Sequence, residues 1–362
     1  MSILKNIFAK KEKPIHTIEE FWQWFQENES TFYNVVKKRE SIEEQFFDCL
    51  GPKLQEIREG VYFLSGMMDD DTAELIFTPD GIVKNVAFIE DLVQAAPQVA
   101  RWKFTALKPA VDINRFNIRM NNYEFSKEKI HFYAVEHPAY PDEVDLVIVY
   151  DDFVERDRSV ITNGIYIFLD NFLGELNAIT SIDNLNVVGP DQAAGELISI
   201  LKLKDYLIWR EKEFIEKYDG TRYSTENDSY VGLEAELDNG MPLIAMINRT
   251  LLDWDAKASH PWMVRVEIAF QANENGFPDE KTYQLLNEFE DELIELLPDA
   301  QGYLNVGRET VDGNRDIFFA CKDFREPAKV VDQIKKKYSN NFSVSYAIYK
   351  DKYWQSFERY KG

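Results

Sequence analysis

The chain has few of the side chains that bind metal ions or form disulfides. Its 362 residues include only two cysteines, Cys49 and Cys321, and four histidines. Two cysteines cannot form a disulfide framework, which indicates a reducing compartment. There is no Cys-x-x-Cys motif, no histidine pair at helical spacing, no G-x-S-x-G elbow and no phosphate-binding loop. We therefore assign no catalytic residue, no metal and no cofactor from the sequence.

Long apolar runs are missing as well. Nothing approaches the ~20 apolar residues of a membrane span. The segment Met1–Lys13 lacks the apolar core and the cleavage site of a signal peptide. We expect a cytoplasmic protein with a frayed N-terminus, and a weak amphipathic membrane contact by this segment is the alternative.

Basic side chains are scarce relative to acidic ones. The chain has 41 Lys and Arg against 64 Asp and Glu, a formal net charge of −23. Such a field repels nucleic acid and anionic lipid, and it speeds encounter with basic proteins. The charge therefore favours a basic protein as partner over nucleic acid or membrane. The alternative is that the acidic charge only keeps the protein soluble.

The most regular pattern lies between Trp262 and Lys350. It predicts the order strand, helix, strand, strand, helix, strand from period-two alternation, apolar stripes at helical spacing and a tight turn at Asp312-Gly313-Asn314. This βαββαβ order is typical of the ferredoxin-like fold. A hairpin of residues 233–237 and 243–247 is expected to join its sheet. The fold class is thus α+β, with two α/β-sandwich units.

This stretch also carries a family resemblance. The segments Pro261-Trp262, Asn275-Gly276-Phe277-Pro278 and Gly313-Asn314-Arg315, and Tyr349, resemble the bacterial family called domain of unknown function 695. That family is sometimes found beside a domain similar to the regulator of ribonuclease E activity B, a protein inhibitor of a nuclease. The resemblance covers the last third of the chain and implies a fold and a neighbour, but no functional residues.

The sequence predicts four parts. Residues 1–60 form a helical segment with a capping box at Thr17 and Glu20, ending at Gly51-Pro52. Residues 61–190 form an α+β domain that repeats the order strand, helix, strands, helix, strand, and is a possible relative of the C-terminal domain. Residues 191–219 are a charged connecting helix, and residues 220–362 are the ferredoxin-like domain. The run Asp69-Asp70-Asp71 is expected to be a solvated hairpin turn, because calcium ligands stand at alternate positions.

One surface is the candidate binding site. Helices cover one face of a ferredoxin-like sheet, and the other face would carry Arg265 and Glu267, with Met263 and Ala269 on the same strand. We expect Tyr303, Asn305 and Tyr349 to join it from neighbouring strands, with Ser345 beside them. Tyrosine, arginine and methionine are enriched in interfaces. The alternative is that this face packs against the N-terminal half or a sister subunit.

Three functions fit these patterns. The first is an acidic binding or regulatory protein without catalysis, which engages a basic protein such as a nuclease or toxin. The second is a hydrolase whose site is assembled from dispersed acids at the domain junction, which would require a deep pocket with convergent polar groups there. The third is a structural homo-oligomer built through sheet faces or edges.

Overall fold

The computed structural model describes residues 13–361. The chain forms two compact units, Met1–Lys108 and Pro109–Gly362. Both contain helices and strands, which confirms the α+β class. The segment Met1–Lys13 was expected to be frayed or, alternatively, to contact a membrane. Apart from Lys13, its residues lie outside the described part of the chain. The four-part division of the chain stays a prediction.

The first unit surrounds a three-stranded sheet. Its elements are α1 (Ile18–Lys38), α2 (Asp48–Ile57), β1 (Tyr62–Met67), β2 (Ala73–Thr78), α3 (Val86–Gln94) and β3 (Trp102–Ala106). In the order β1-β2-β3, the first pair is antiparallel and the second parallel. The Thr17 side chain accepts from the Glu20 N–H and caps α1, as predicted. Asp69 accepts main-chain N–H groups of Asp71 and Thr72 in the β1–β2 turn, as expected for a hairpin.

The helical segment does not end at Gly51-Pro52 as predicted, because α2 continues through both residues to Ile57. A π-helical turn, Glu43–Phe47, precedes α2 directly. Such turns interrupt the regular hydrogen-bond ladder. Pro52 lies inside α2, at its fifth residue.

The second unit begins with a four-stranded sheet. Its elements are β4 (Ile118–Met120), β5 (Tyr123–Phe125), β6 (Ile130–Val135), β7 (Asp145–Tyr150), α4 (Arg158–Leu173), α5 (Glu175–Ser181), β8 (Asn184–Val188), β9 (Ile198–Ser199) and α6 (Leu203–Tyr218). The strand order is β8-β7-β6-β9, while β4 and β5 form a separate hairpin. The strands between residues 61 and 190 therefore lie in three separate sheets.

The connecting helix is shorter than predicted. Instead of starting at residue 191, α6 starts at Leu203. Ile198 and Ser199 pair with β6 and the Ser199 hydroxyl accepts from the Leu201 N–H, so these residues are held in other conformations. Sheet pairing thus overrides the local preference for helix.

The C-terminal part has the predicted element order. Its elements are β10 (Tyr230–Glu236), β11 (Pro242–Asn248), α7 (Arg249–Leu252), β12 (Trp262–Ala269), α8 (Glu280–Leu296), β13 (Tyr303–Val311), β14 (Asn314–Cys321), α9 (Arg325–Lys337) and β15 (Ser343–Lys350). The sheet runs β10-β11-β13-β14-β12-β15, with every neighbouring pair antiparallel. The hairpin β10–β11 joins this sheet through β13, as expected. The ferredoxin-like name stays a prediction.

The two faces of the six-stranded sheet bury different elements. On one face, Trp262 packs against Phe324 with ring centres 4.7 Å apart, and the Tyr346 hydroxyl donates to the Ala328 carbonyl in α9. On the other, Met263, Phe318 and Ala320 share a core with residues of the C-terminal turn Gln355–Tyr360. Among the described residues, no helix has the length and apolar character needed to cross a membrane.

Candidate functional site

The predicted binding face brings together only some of its expected residues. Arg265 and Glu267 lie on one face, and Tyr349 joins them because it stands opposite Met263. Tyr303 and Asn305 lie on the opposite face, which contradicts the expectation. They stand opposite Cys321 and Phe319, which in turn stand opposite Trp262 and Val264 on the helix-covered side. Both are buried.

The charged residues of this face are satisfied within the chain. The Arg265 guanidinium lies 2.8 Å from Asp316 and 3.0 Å from Glu267, and Glu267 accepts from Ser345. Burial raises the pKa of Asp316 although Arg265 opposes this shift. The positive charge of Arg265 is therefore already compensated by two carboxylates of the same face.

The C-terminal turn covers part of the same face. Trp354 is fully buried, and its indole N–H donates to the His260 carbonyl at 3.0 Å. Phe357 meets Phe318 edge to face with ring centres 5.1 Å apart, and the Tyr360 hydroxyl donates to Glu309 at 2.5 Å. The chain itself thus covers part of the surface that the sequence left open for a partner.

A different feature of the second unit has the form of a ligand site. A cavity of about 560 Å³ lies between α6, the Pro141-Asp142 loop, the end of α5 and one end of the six-stranded sheet. The sheet contributes the start of β12 at Trp262 and the residues at the ends of β14 and β15. Small-molecule sites typically occupy ~300–1,000 Å³. The sequence did not predict this site.

Basic side chains dominate the polar wall of the cavity. Among the described residues, those that line it are Arg210, Lys217, Lys322, Arg325, Lys350 and Lys352. The acidic side chains in the wall are Asp142, Glu211, Glu213 and Asp323. An excess of bases over acids is the reverse of the whole chain, whose net charge is −23.

Two of the lysines share one carboxylate behind the wall. The Asp183 oxygens lie 2.7 Å from the Lys350 ammonium and 2.6 Å from that of Lys352. Burial raises the pKa of Asp183, but the two ammonium groups outweigh burial and hold the pKa below its usual value. One negative charge therefore faces two positive charges in a buried place.

Asp142 is held by several donors. Its carboxylate accepts from Lys217 at 2.8 Å, from the Tyr218 hydroxyl at 2.8 Å and from the Tyr353 hydroxyl at 2.5 Å. Burial opposes ionisation, but these donors together lower the pKa of Asp142. The Asp142 carbonyl also accepts from Lys352 at 2.7 Å. These bonds join the loop before β7 to α6 and to the residues after β15.

Two cations of the wall have no carboxylate partner among the described residues. The Arg210 guanidinium donates to the carbonyls of Pro141 and Glu143, at 2.7 and 3.2 Å, and to the Tyr206 hydroxyl. The Lys322 ammonium donates to the Thr221 carbonyl. Main-chain carbonyls accept hydrogen bonds but leave the positive charges uncompensated.

The field around Lys322 is positive. Burial and the nearby Arg222 guanidinium lower the pKa of Lys322. Burial, Lys322 and Arg222 also lower the pKa of His260 to about 3, so this histidine stays neutral at physiological pH. Burial is the larger cause of both shifts, and the neighbouring cations act in the same direction.

The rest of the wall is mostly apolar, apart from Thr180 and Ser181. Trp262, Phe324 and Leu207 are buried side chains that line the cavity, with Phe214 beside them. The Lys352 ammonium lies 5.0 Å from the centre of the Phe214 ring, and the Lys350 ammonium lies 5.9 Å from that of Trp262. Apolar walls with a few placed charges are the usual composition of small-molecule sites.

The acidic side chains of the cavity wall are either paired or exposed, and the hydrolase hypothesis stays a prediction. Asp142 is paired with Lys217, and Asp323 lies 3.3 Å from Arg325. Glu211 and Glu213 are exposed on α6. In the part of the chain that the structure describes, no cluster of His, Cys, Asp and Glu could hold a metal ion. Ligand binding needs only the arrangement of charges described above.

Fold and cavity together define the second unit as an α+β structure with a positively charged cavity. A family model described as "Family of unknown function (DUF695)" matches residues 235–360, which confirms the resemblance of the C-terminal third. The matched range includes Lys322, Lys350 and Lys352, whereas Asp142, Asp183 and Arg210 lie before it. Comparisons with curated proteins and with solved structures gave no match.

Proposed function

We propose that this protein binds a small anionic molecule in the cavity beside α6. One observation carries the proposal: Arg210 and Lys322, in the wall of a cavity, lack carboxylate partners among the described residues, in a chain with 64 acidic side chains. A partly buried cation without a counter-charge is unfavourable, and an anionic ligand removes this penalty when it binds.

The shape of the cavity favours a small molecule over a protein. Its volume of about 560 Å³ and its aromatic residues Trp262 and Phe214 fit a metabolite with an apolar or carbonyl-bearing body and a phosphate or carboxylate group. Charge-assisted hydrogen bonds from lysine and arginine are the strongest that such a group can receive.

Titration with inorganic phosphate tests the proposal. In isothermal calorimetry at low salt, we expect phosphate to bind and Lys322→Met to weaken binding at least tenfold, since a hydrogen bond to a charged group contributes about 1.5–3 kcal/mol. Methionine keeps the apolar stem of Lys322, which packs over Gly302.

Lys212→Met is the matched control. Lys212 lies on α6 but is exposed, with a weak 3.7 Å ion pair to Glu216. The control should bind phosphate as the unchanged protein does. If both variants bind equally well, the anion sits elsewhere and the proposal is wrong.

The earlier hypothesis of a basic protein partner stays a prediction beside this one. The chain's net charge of −23 supports it. Binding of a basic protein would weaken steeply with salt. The homo-oligomer also stays a prediction, which the mass in solution would test.

A further inference from the structure

Lys350 stands where a bound molecule can reach it. It is the last residue of β15, it lines the cavity, and its side chain is 12% exposed. Its ammonium nitrogen lies 2.7 Å from Asp183 and 5.9 Å from the centre of the Trp262 ring. Strand pairing and these contacts fix the amine at the cavity wall.

The charges around Lys350 favour loss of one proton. Within ion-pair distance Lys350 and Lys352 share the Asp183 carboxylate, and Glu143 acts on Lys350 from farther away, so two ammonium groups crowd one directly bonded carboxylate in a buried place. Lys352 also donates to the Asp142 carbonyl at 2.7 Å, so its ammonium is held by two acceptors. We therefore take Lys350, which lies beside Trp262 in the cavity wall, as the reacting amine.

The pKa of Lys350 agrees with this assignment. Burial lowers the pKa of Lys350 to about 8. The positive charge of Lys352 acts in the same direction, whereas the negative charge of Asp183 opposes the shift. The ionisable groups that act on it are Asp183, Lys352 and the buried Glu143, whose carboxylate accepts from Gln355. Lysines that are desolvated beside another cation are the ones that proteins use as amine nucleophiles.

We infer that the Lys350 amine forms an imine with a small aldehyde or ketone that carries an anionic group. The inference rests on the anion site proposed above and names its substrate class. Arg210 and Lys322 would hold the anionic group, while Lys350 meets the carbonyl carbon from the same cavity wall.

The step balances without an oxidant or reductant. The nitrogen lone pair of neutral Lys350 attacks the carbonyl carbon, and a C–N bond forms. The carbonyl oxygen takes up a proton from the Lys352 ammonium or from water, and the positively charged nitrogen of the adduct returns one proton to that donor. The resulting carbinolamine loses its hydroxyl group and a nitrogen-bound proton as one molecule of water. The products are the imine and water.

Reductive trapping with pyridoxal 5′-phosphate, an aldehyde with a phosphate group, tests the inference on the full chain. Borohydride would fix the imine as a secondary amine, and peptide mapping by mass spectrometry would locate it. We expect Lys350 to be labelled at least tenfold faster than surface lysines at pH 7.5. The neutral fraction of an amine with a pKa of about 8 exceeds that of one at about 10.4 by roughly a hundredfold. The rate should rise with pH around 8 and fall when phosphate is added.

Two variants make the test specific. Lys350→Arg keeps the positive charge beside Asp183 but cannot form an imine, so fast labelling should disappear. Lys212→Met changes an exposed lysine of α6, and in this control Lys350 should still be labelled.

Three outcomes would overturn the inference. Labelling spread evenly over surface lysines, or unchanged in Lys350→Arg, would exclude an imine at Lys350. If phosphate binds normally in that case, the anion site itself stands. Equal labelling of Lys350 by propionaldehyde, which has no anionic group, would exclude selection through the anion.

Discussion

Asp183→Asn is expected to lower the free energy of unfolding by about 3–5 kcal/mol at neutral pH, the usual cost of removing one partner from a buried ion pair. The Asp183 side chain is 7% exposed and is the only carboxylate within ion-pair distance of both Lys350 and Lys352 among the described residues. Its neutral replacement leaves two buried cations without compensation. Urea denaturation of the purified variant measures the loss.

The deficit should shrink as the pH rises. The pKa of Lys350 in the folded protein, about 8, is below the ~10.4 of an unfolded chain, so between these values the unfolded state binds more protons. Stability linked to this lysine therefore increases with pH across that window. Without Asp183, the pKa of Lys350 in the folded protein falls further. The free energy of unfolding of the variant therefore begins to increase at a lower pH than that of the unchanged protein.

Glu216→Gln is the matched control for this variant. It removes the carboxylate of the Lys212–Glu216 pair on α6, whose side chains are 72% and 67% exposed. Exposed ion pairs contribute almost nothing to stability, so its unfolding should hardly change. Equal behaviour of the two variants, or a deficit at Asp183 that grows between pH 7 and 10, would show that Asp183 does not neutralise the lysines.

Trp354→Ala is expected to lower the free energy of unfolding by a similar amount, about 3–5 kcal/mol, as for other buried tryptophans. Trp354 is 1% exposed and shares a core with Phe318 and Phe357, and its indole N–H donates to the His260 carbonyl. Alanine would remove the ring, leave a cavity and free a buried carbonyl. Urea denaturation again gives the measurement.

Trp209→Ala separates burial from residue type. Trp209 lies on α6 and is 52% exposed, so the same substitution there should change stability little. If Trp354→Ala were as mild as Trp209→Ala, the C-terminal turn would not be packed on the sheet. The face beneath it would then be available to a partner, as the sequence first suggested.

The order of elements between Trp262 and Lys350 was predictable because its signals are local. Period-two alternation, apolar stripes and a tight turn at Asp312-Gly313 each depend on a few neighbouring residues. The match of a family model to residues 235–360 agrees with the segments that carried the resemblance. The start of α6 was not predictable in this way, because Ile198 and Ser199 pair with β6, which lies far away in sequence.

The faces of β13 show where local patterns fail. Nearly all of its residues are buried, so no alternation marks which side chains face the helices. Tyr303 and Asn305 stand on the helix side, and after an irregularity between Asn305 and Gly307 the strand presents Glu309 opposite Asp316. Because side chains alternate with period two, a shift of one residue exchanges the faces, and only the pairing of strands determines it.

The sequence alone determined the fold class, the order of the C-terminal elements and the acidic charge of the whole chain. The tertiary structure decided the cavity and its positive wall. Its cations come from α6, from the start of α9 and from the ends of β14 and β15. The composition gives only the total charge of the chain, which is −23. Binding depends instead on charges within a few ångströms of each other. Folding brings Arg210, Lys322 and Lys350 to the wall of one cavity.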